Sequence, residues 1–266
     1  MANLKRIYTA LTHIGRASQV LRCCKMMEDW HNITASYLGI RTLRFPYQTN
    51  FRDSVKFNLE EEGDVEALWQ IYFRRIYELR QTDRCIVDAG ANIGLFTCFA
   101  ARFNSGCRVY AVEPFPTSFE RLLAHSRINQ IEEQVCCFNF ALNESGKSVA
   151  LRYPDKESQK VRIIPNPSEG DIIVPANTLA GLLALVEEPF VDLLKMDIEA
   201  SEYEVLLSTP YHVLSRIGRL ILEYHEPLSG QSHSPHTLKR YLSTCGFRLT
   251  HTLGDDRYGL FYFDRS

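Results

Sequence analysis

The chain has 266 residues, a formal net charge of −2, 45% hydrophobic residues and 23% charged residues. That length holds one large domain, or one with an appendage, whose core needs no disulfide or metal staple. The charge balance leaves no basic footprint for nucleic acid, and no apolar run approaches the ~20 residues of a membrane span. The N-terminal "MANLKRIYTALTHIG" lacks the apolar core and cleavage-like site of a signal peptide. None of the eight cysteines has C-x-x-C spacing. Several lie in apolar runs, so they read as reduced, buried thiols of a cytoplasmic protein.

Residues 1–30 are predicted to be helical, with Leu4, Ile7, Leu11, Ile14, Leu21 and Met27 near helical spacing. Residues 31–60 read as irregular. A second helix is expected from Asp64, its cap, with Val65, Leu68, Trp69, Tyr72, Phe73, Ile76 and Leu79 on one face. From about residue 84, strands alternate with helices. "RCIVDAG", "RVYAVEP" and "QVCCFNFAL" read as strands, separated by the helices "IGLFTCFAARF" and "TSFERLLAHSRIN", the latter opened by a Thr117–Glu120 capping box. Residues 143–187 break the rhythm with short strands in "SVALRY", "KVRIIP" and "DIIVPAN", then the helix "TLAGLLALV". The strand "PFVDLLKMD" follows, then the helix "SEYEVLLS" boxed by Ser201 and Glu204, the strand "RLILEYH" and the helix "SPHTLKRYLSTCG" closed by Gly246. "FRLTHTL" and "YGLFYFD" are joined too closely for a crossover, so that pair is antiparallel. The alternation predicts an α/β domain over 84–266, a mostly parallel sheet with helices on both faces and an insertion at about 143–187. Residues 1–83 read as a helical extension or cover.

In such a sheet ligands bind beyond the carboxyl ends of the strands. Gly90 ends the first strand and Gly94 opens the next helix. Neither has a Cβ, so the chain turns sharply and a ligand comes close. The helix N-terminus is expected to aim free N–H groups at the crevice. Asp88, at the strand end, suits a positive group on the ligand. Glu113 ends the second strand 25 residues later, where a carboxylate accepts hydrogen bonds from both ribose hydroxyls. The glycines are spaced G-x-x-x-G, with Asn92 where a dinucleotide fingerprint has its middle glycine. Asp88 would repel a pyrophosphate. The alternatives are a nicotinamide-dependent oxidoreductase and a binding module without catalysis; S-adenosyl-methionine, cationic and phosphate-free, fits the acids better.

The blocks "VDAGANIGLFT", "VEPFPTSFERL", "LLKMDIEASEYEVL" and "ILEYHE" resemble the FkbM family of class I S-adenosyl-methionine-dependent methyltransferases over about residues 84–225. The resemblance implies a Rossmann-like, seven-stranded sheet with a reversed last strand. It implies transfer of methyl groups to hydroxyl oxygens of natural products or sugars. Carried over by position, Asp88, Gly90, Asn92 and Gly94 line the methionine end of the cofactor, with Asp197 beside them. Glu113 holds the ribose, Pro114 and Phe115 shape the adenosine pocket, and Asn139 and Ala141 lie near the adenine. Ala200 stands where the family pattern has glycine; a positive φ there would cost about 1 kcal/mol.

A hydroxyl is a poor nucleophile, so its proton must be taken or its pKa lowered. Asp197 and Glu199 follow the fourth long strand; Glu223, His225 and Glu226 end the fifth. Two mechanisms fit. His225 or Asp197 takes the proton, or some of Asp197, Glu199, Glu223 and His225 hold a divalent ion such as Mg²⁺, the less favoured reading. Glu202 reads as a solvated acid of the following helix's first turn.

Overall fold

The computed structural model describes residues 15–152, 162–164, 171–199, 201–225, 234–255 and 257–266. They fall into two units, one of Met1–Glu78 with Ala124–Gln130, the other of Leu79–Leu123 with Ile131–Ser266. Of the residues read from the sequence, the first fourteen positions, Ala200 and Glu226 lie outside the described ones.

In the first unit, α1 (Gly15–Met26) and α2 (Trp30–Tyr37) precede the antiparallel pair β1 (Tyr47–Gln48) and β2 (Asn58–Leu59). α3 (Glu62–Leu68) then widens into a π-helical turn, Trp69–Arg74. Aromatic rings fill this unit: Trp69 stacks on Tyr37 at 4.2 Å and meets Phe73 edge-on at 5.1 Å. The segment expected to be irregular therefore holds a helix and a strand pair. Asp64 is not the cap of α3. Glu61 occupies that position, and buried Asp64 reaches back from the first turn to accept the Glu60 N–H at 2.7 Å. Nor does the helix reach Leu79, because left-handed Arg75 ends it.

The second unit runs β3 (Cys85–Ala89), α4 (Leu95–Phe103), β4 (Arg108–Val112), α5 (Pro116–Ile128, whose residues from Ala124 on belong to the first unit) and β5 (Val135–Phe138). The insertion contributes β6 (Ala141–Leu142), β7 (Val149–Arg152), β8 (Arg162–Ile164), β9 (Ile172–Val174), β10 (Ala176–Asn177) and α6 (Leu179–Leu185). The rhythm resumes with β11 (Val191–Met196), α7 (Glu202–Ser208), α8 (Tyr211–Leu214), β12 (Ile217–Tyr224), α9 (Pro235–Thr244), β13 (Phe247–Gly254) and β14 (Gly259–Arg265).

Seven strands form one sheet in the order β13-β14-β12-β11-β3-β4-β5. β14 runs antiparallel to both its neighbours, and the other pairs are parallel. This is the Rossmann-like class I methyltransferase arrangement, with its reversed last strand. β3 is buried along its whole length, as a central strand covered on both faces must be. The chain steps outward through β3, β4 and β5 and returns to β11 on the other side of β3. The tips of β3 and β11 therefore flank the switch point where such sheets bind ligands.

Local chemistry shifts several boundaries. "DIIVPAN" is two strands broken at Pro175, which has no N–H to extend a ladder. β10 pairs with β6, while β9 and β8 flank β7. α5 begins at Pro116, a residue preorganised for a first turn, so Thr117 lies inside the helix and is not its cap. Ser201 stands at the cap position of α7 without a side-chain cap bond. Ser234 does cap α9, accepting from the Thr237 N–H at 3.1 Å. Among the described residues no helix is long and apolar enough to cross a membrane.

At the opposite end of the sheet from the switch point, Arg219 of β12 meets Asp83 at 2.5 Å, their side chains 8% and 3% exposed. Asp83 also accepts the Arg80 N–H at 2.7 Å. Removing one partner strands the other charge in the interior. Asp83→Ala should therefore lower unfolding stability by about 3 kcal/mol in a urea titration; a loss within experimental error would show that Arg219 reaches water.

Candidate active site

Gly90, Asn92 and Gly94 adopt φ values of 79°, 48° and 85°. The turn needs the left-handed region at alternate residues, and asparagine is the side chain that tolerates it, which explains Asn92 between two glycines. A Cβ on Gly90 would lie 1.7 Å from the Asp197 carbonyl oxygen. The Gly90 and Ala91 N–H groups both donate to the Val112 oxygen, at 3.0 and 2.9 Å, and the Gly94 N–H donates to the Ala91 oxygen at 2.8 Å. The Asn92 N–H donates to Glu113 Oε2 at 2.8 Å. These donors, expected to face a ligand, are consumed in closing the turn and fastening it to β4 and its tip.

Glu113 sits at the tip of β4, 7% exposed. Its Oε1 accepts the Phe115 N–H at 2.8 Å. Burial pushes its pKa up to about 7, against the pull of the Phe115 and Asn92 N–H groups and of Lys195. Asn139 Nδ2 donates to the Glu113 and Pro114 carbonyl oxygens at 2.8 and 3.1 Å, tying the end of β5 to the same tip. Phe115 and Ala141 are buried together in an apolar cluster with Leu151 and Val174.

Asp88 is fully buried. It accepts the Thr97 hydroxyl at 2.6 Å, and Lys195 Nζ lies 3.0 Å from its Oδ1. The cation it meets is thus the chain's own, because Lys195 is its register partner in β11. Burial opposes the lysine's charge, but Asp88, Asp197 and Glu223 outweigh it and raise its pKa.

Asp197, Glu223 and His225 converge at the tips of β11 and β12, with one ligand-type atom from each within 4.8 Å of the others. His225 is held on several sides. Its Nδ1 lies 3.1 Å from Glu202 Oε1, its Nε2 3.8 Å from Glu199 Oε2, and its carbonyl oxygen accepts the Tyr203 hydroxyl at 2.9 Å. Burial lowers its basicity, yet the bond to Glu202 and the fields of Glu202, Asp197 and Glu199 push its pKa up to about 9. The Tyr258 hydroxyl donates to Glu223, and its ring lies 5.4 Å from the His225 ring. Glu199 carries a left-handed φ of 52°, next to Ala200, which lies outside the described residues.

Three residues escaped the sequence reading. Glu202 is not a solvated acid but fully buried, accepting the Ile198 N–H as well as facing His225. Lys195 was hidden in an apolar strand, although a lysine in a buried strand demands a partner. Tyr258 follows from topology: an antiparallel β14 starts at the edge where β12 ends, so the turn before it overhangs the acids.

The residues fit S-adenosyl-methionine. Asn92 Oδ1 is shielded from water and accepts no hydrogen bond among the described residues, an acceptor left for a donor from outside. Glu113 has lone pairs remaining for ribose hydroxyls. The family model described as the methyltransferase FkbM domain matches residues 88–249. The chain belongs to the FkbM methyltransferase family. It is accordingly an S-adenosyl-methionine-dependent methyltransferase. Methyltransferase sdnD of Sordaria araneosa is 24% identical, over 60% of this chain and 78% of its own. The 31-O-demethyl-FK506 methyltransferase FkbM of Streptomyces tacrolimicus is 27% identical, over 58% of this chain and 70% of its own. The crystal structure of Methyltransferase FkbM from Methylobacillus flagellatus KT aligns at 14% identity with a TM-score of 0.46, over 93% of this chain and 58% of that one.

Two predictions follow from the turn and its carboxylate. Gly90→Ala should abolish calorimetric binding of S-adenosyl-homocysteine, since the added Cβ meets the Asp197 backbone; parent-like affinity would mean the turn is free to move. Glu113 must be ionised to accept both hydroxyls, and its raised pKa makes the protonated form the major one below about 7. Affinity for S-adenosyl-homocysteine should therefore fall about tenfold from pH 8 to pH 6, with proton release on binding near pH 6. Glu113→Gln should flatten that dependence; an unchanged slope in this variant would assign it to another group.

Proposed function

We propose that the enzyme methylates a hydroxyl oxygen of a small-molecule natural product or a sugar. The observation that carries this reading is the convergence of Asp197, Glu223 and His225 beside the glycine turn, where an acceptor would meet the donor. A carboxylate pair with a histidine suits a group that must lose a proton as its oxygen attacks. An acceptor already nucleophilic would need no such cluster. The Streptomyces relative supports the reading by analogy, because its name specifies an O-methyl position.

The bound donor supplies a methyl group on sulfonium sulfur, which leaves as a neutral thioether. The chain's residues do the rest. An acceptor hydroxyl placed between Asp197 and the turn would give its proton to the Asp197 carboxylate as its oxygen takes the methyl group from sulfur. His225, charged below about pH 9, holds Glu199 and Asp197 in place and offsets their repulsion. Glu202 and the Tyr203 hydroxyl fix the ring and backbone of His225, and Tyr258 orients Glu223. Positioning of this kind contributes as much as the proton transfer does.

One observation favours a second reading: three ligand-type atoms within 4.8 Å could share one hard divalent cation. A screen of labelled methyl transfer onto hydroxylated small molecules and sugars, with and without chelator, separates the two. We expect label on oxygen and turnover that survives chelation. Loss of turnover on chelation selects the metal, and label only on nitrogen or carbon contradicts O-methylation. With an acceptor in hand, Asp197→Ala combined with His225→Ala should lower kcat at least about a hundredfold; an unchanged kcat would remove both from the chemistry and favour a binding module.

A further inference from the structure

We infer that Lys195 is a positioning residue for methyl transfer, holding the glycine turn in the shape that receives the methionine portion of the donor. The inference rests on the S-adenosyl-methionine reading above. Lys195 is 3% exposed, in a strand whose neighbours Leu193, Leu194 and Met196 are entirely apolar. Sheet packing gives no reason to bury an ammonium there, and its desolvation is costly.

Two contacts of Nζ do different work. At 3.0 Å it neutralises Asp88, the acid of the first strand tip, which also takes the hydroxyl of Thr97 in the first turn of α4. At 2.7 Å it donates to the carbonyl oxygen of Gly90, the first left-handed residue of the turn. The peptide on the other side of that residue is fixed as well, because the Asp197 N–H donates to the Ala89 oxygen at 3.0 Å. Lys195 is thus bonded at once to the strand-tip acid and to the backbone of the turn. Its charge also lies in the field of Asp197 and Glu223, so it connects the donor's turn to the cluster that faces the acceptor. An ion pair that served stability alone could be replaced by two neutral groups without functional loss. A donor to the Gly90 oxygen could not.

The test compares the parent chain, Lys195→Met and Asp88→Asn/Lys195→Met. Each is measured for thermal midpoint without ligand and for binding of S-adenosyl-homocysteine and adenosine by calorimetry. The single variant leaves Asp88 buried without its cation and should melt lower. The double variant carries neither charge and should regain the parent's midpoint. Its affinity for S-adenosyl-homocysteine should stay reduced about tenfold or more, while adenosine, which does not reach the turn, binds within about twofold of the parent. The inference is overturned by a double variant that binds S-adenosyl-homocysteine as the parent does, that loses adenosine equally, or that does not recover its midpoint. A parent chain that binds neither compound overturns the donor assignment, and this inference with it.

Discussion

Everything at the switch point hangs on a carboxylate accepting two backbone N–H groups. Glu113 takes one from Asn92, in the turn after β3, and one from Phe115, in its own strand's exit. The tips of β3 and β4 are thereby a single piece. Without that link the left-handed turn would be a string of strained residues with nothing to over-determine it. With it, the Gly90, Ala91, Asn92 and Gly94 N–H groups are spent internally, and the Asn92 side-chain oxygen and the remaining lone pairs of Glu113 are left as acceptors. A recognition surface of acceptors suits a ligand that brings hydroxyls and positive charge and repels one that brings phosphate.

The same end of the sheet concentrates acids that water would ordinarily solvate. Asp88, Glu113, Glu202 and Glu223 are all buried, with Lys195 and His225 close by to offset them. The cost is visible in the shifted groups: Glu113 holds its proton more tightly, and His225 and Lys195 hold theirs. A site of this character has a standing attraction for a cationic cofactor, which relieves the repulsion on binding. Its supports come from three directions. Glu202 and Tyr203 rise from α7, Tyr258 overhangs from the hairpin before β14, and Lys195 crosses from β11.

The sheet was legible because its signals are local. Apolar runs ending in glycine or proline, and helical spacing between them, locate each long strand; the short tail linker implied the reversed β14. The misplaced boundaries have local causes of their own. Pro116 opens α5 one residue before Thr117, and Pro175 divides a run that periodicity alone joins. The aromatic packing in the first unit draws helix and strand out of a stretch without periodicity. In the candidate site, the places of Glu113, Asp197, Glu223 and His225 at strand tips were readable because strand tips can be located by counting. The pairing of Asp88 with Lys195 depends on register between strands more than a hundred residues apart in sequence, which no local pattern encodes. Glu202 and Tyr258 depend in the same way on which elements meet.

The claim that two strand tips grip opposite ends of a phosphate-free cationic nucleoside is tested most directly by a crystal structure of the chain with S-adenosyl-homocysteine. The account predicts both ribose oxygens within hydrogen-bond distance of the Glu113 carboxylate and the homocysteine portion against the Gly90–Gly94 turn. A ribose away from Glu113, or an amino-acid portion on the far side of β5, would contradict it.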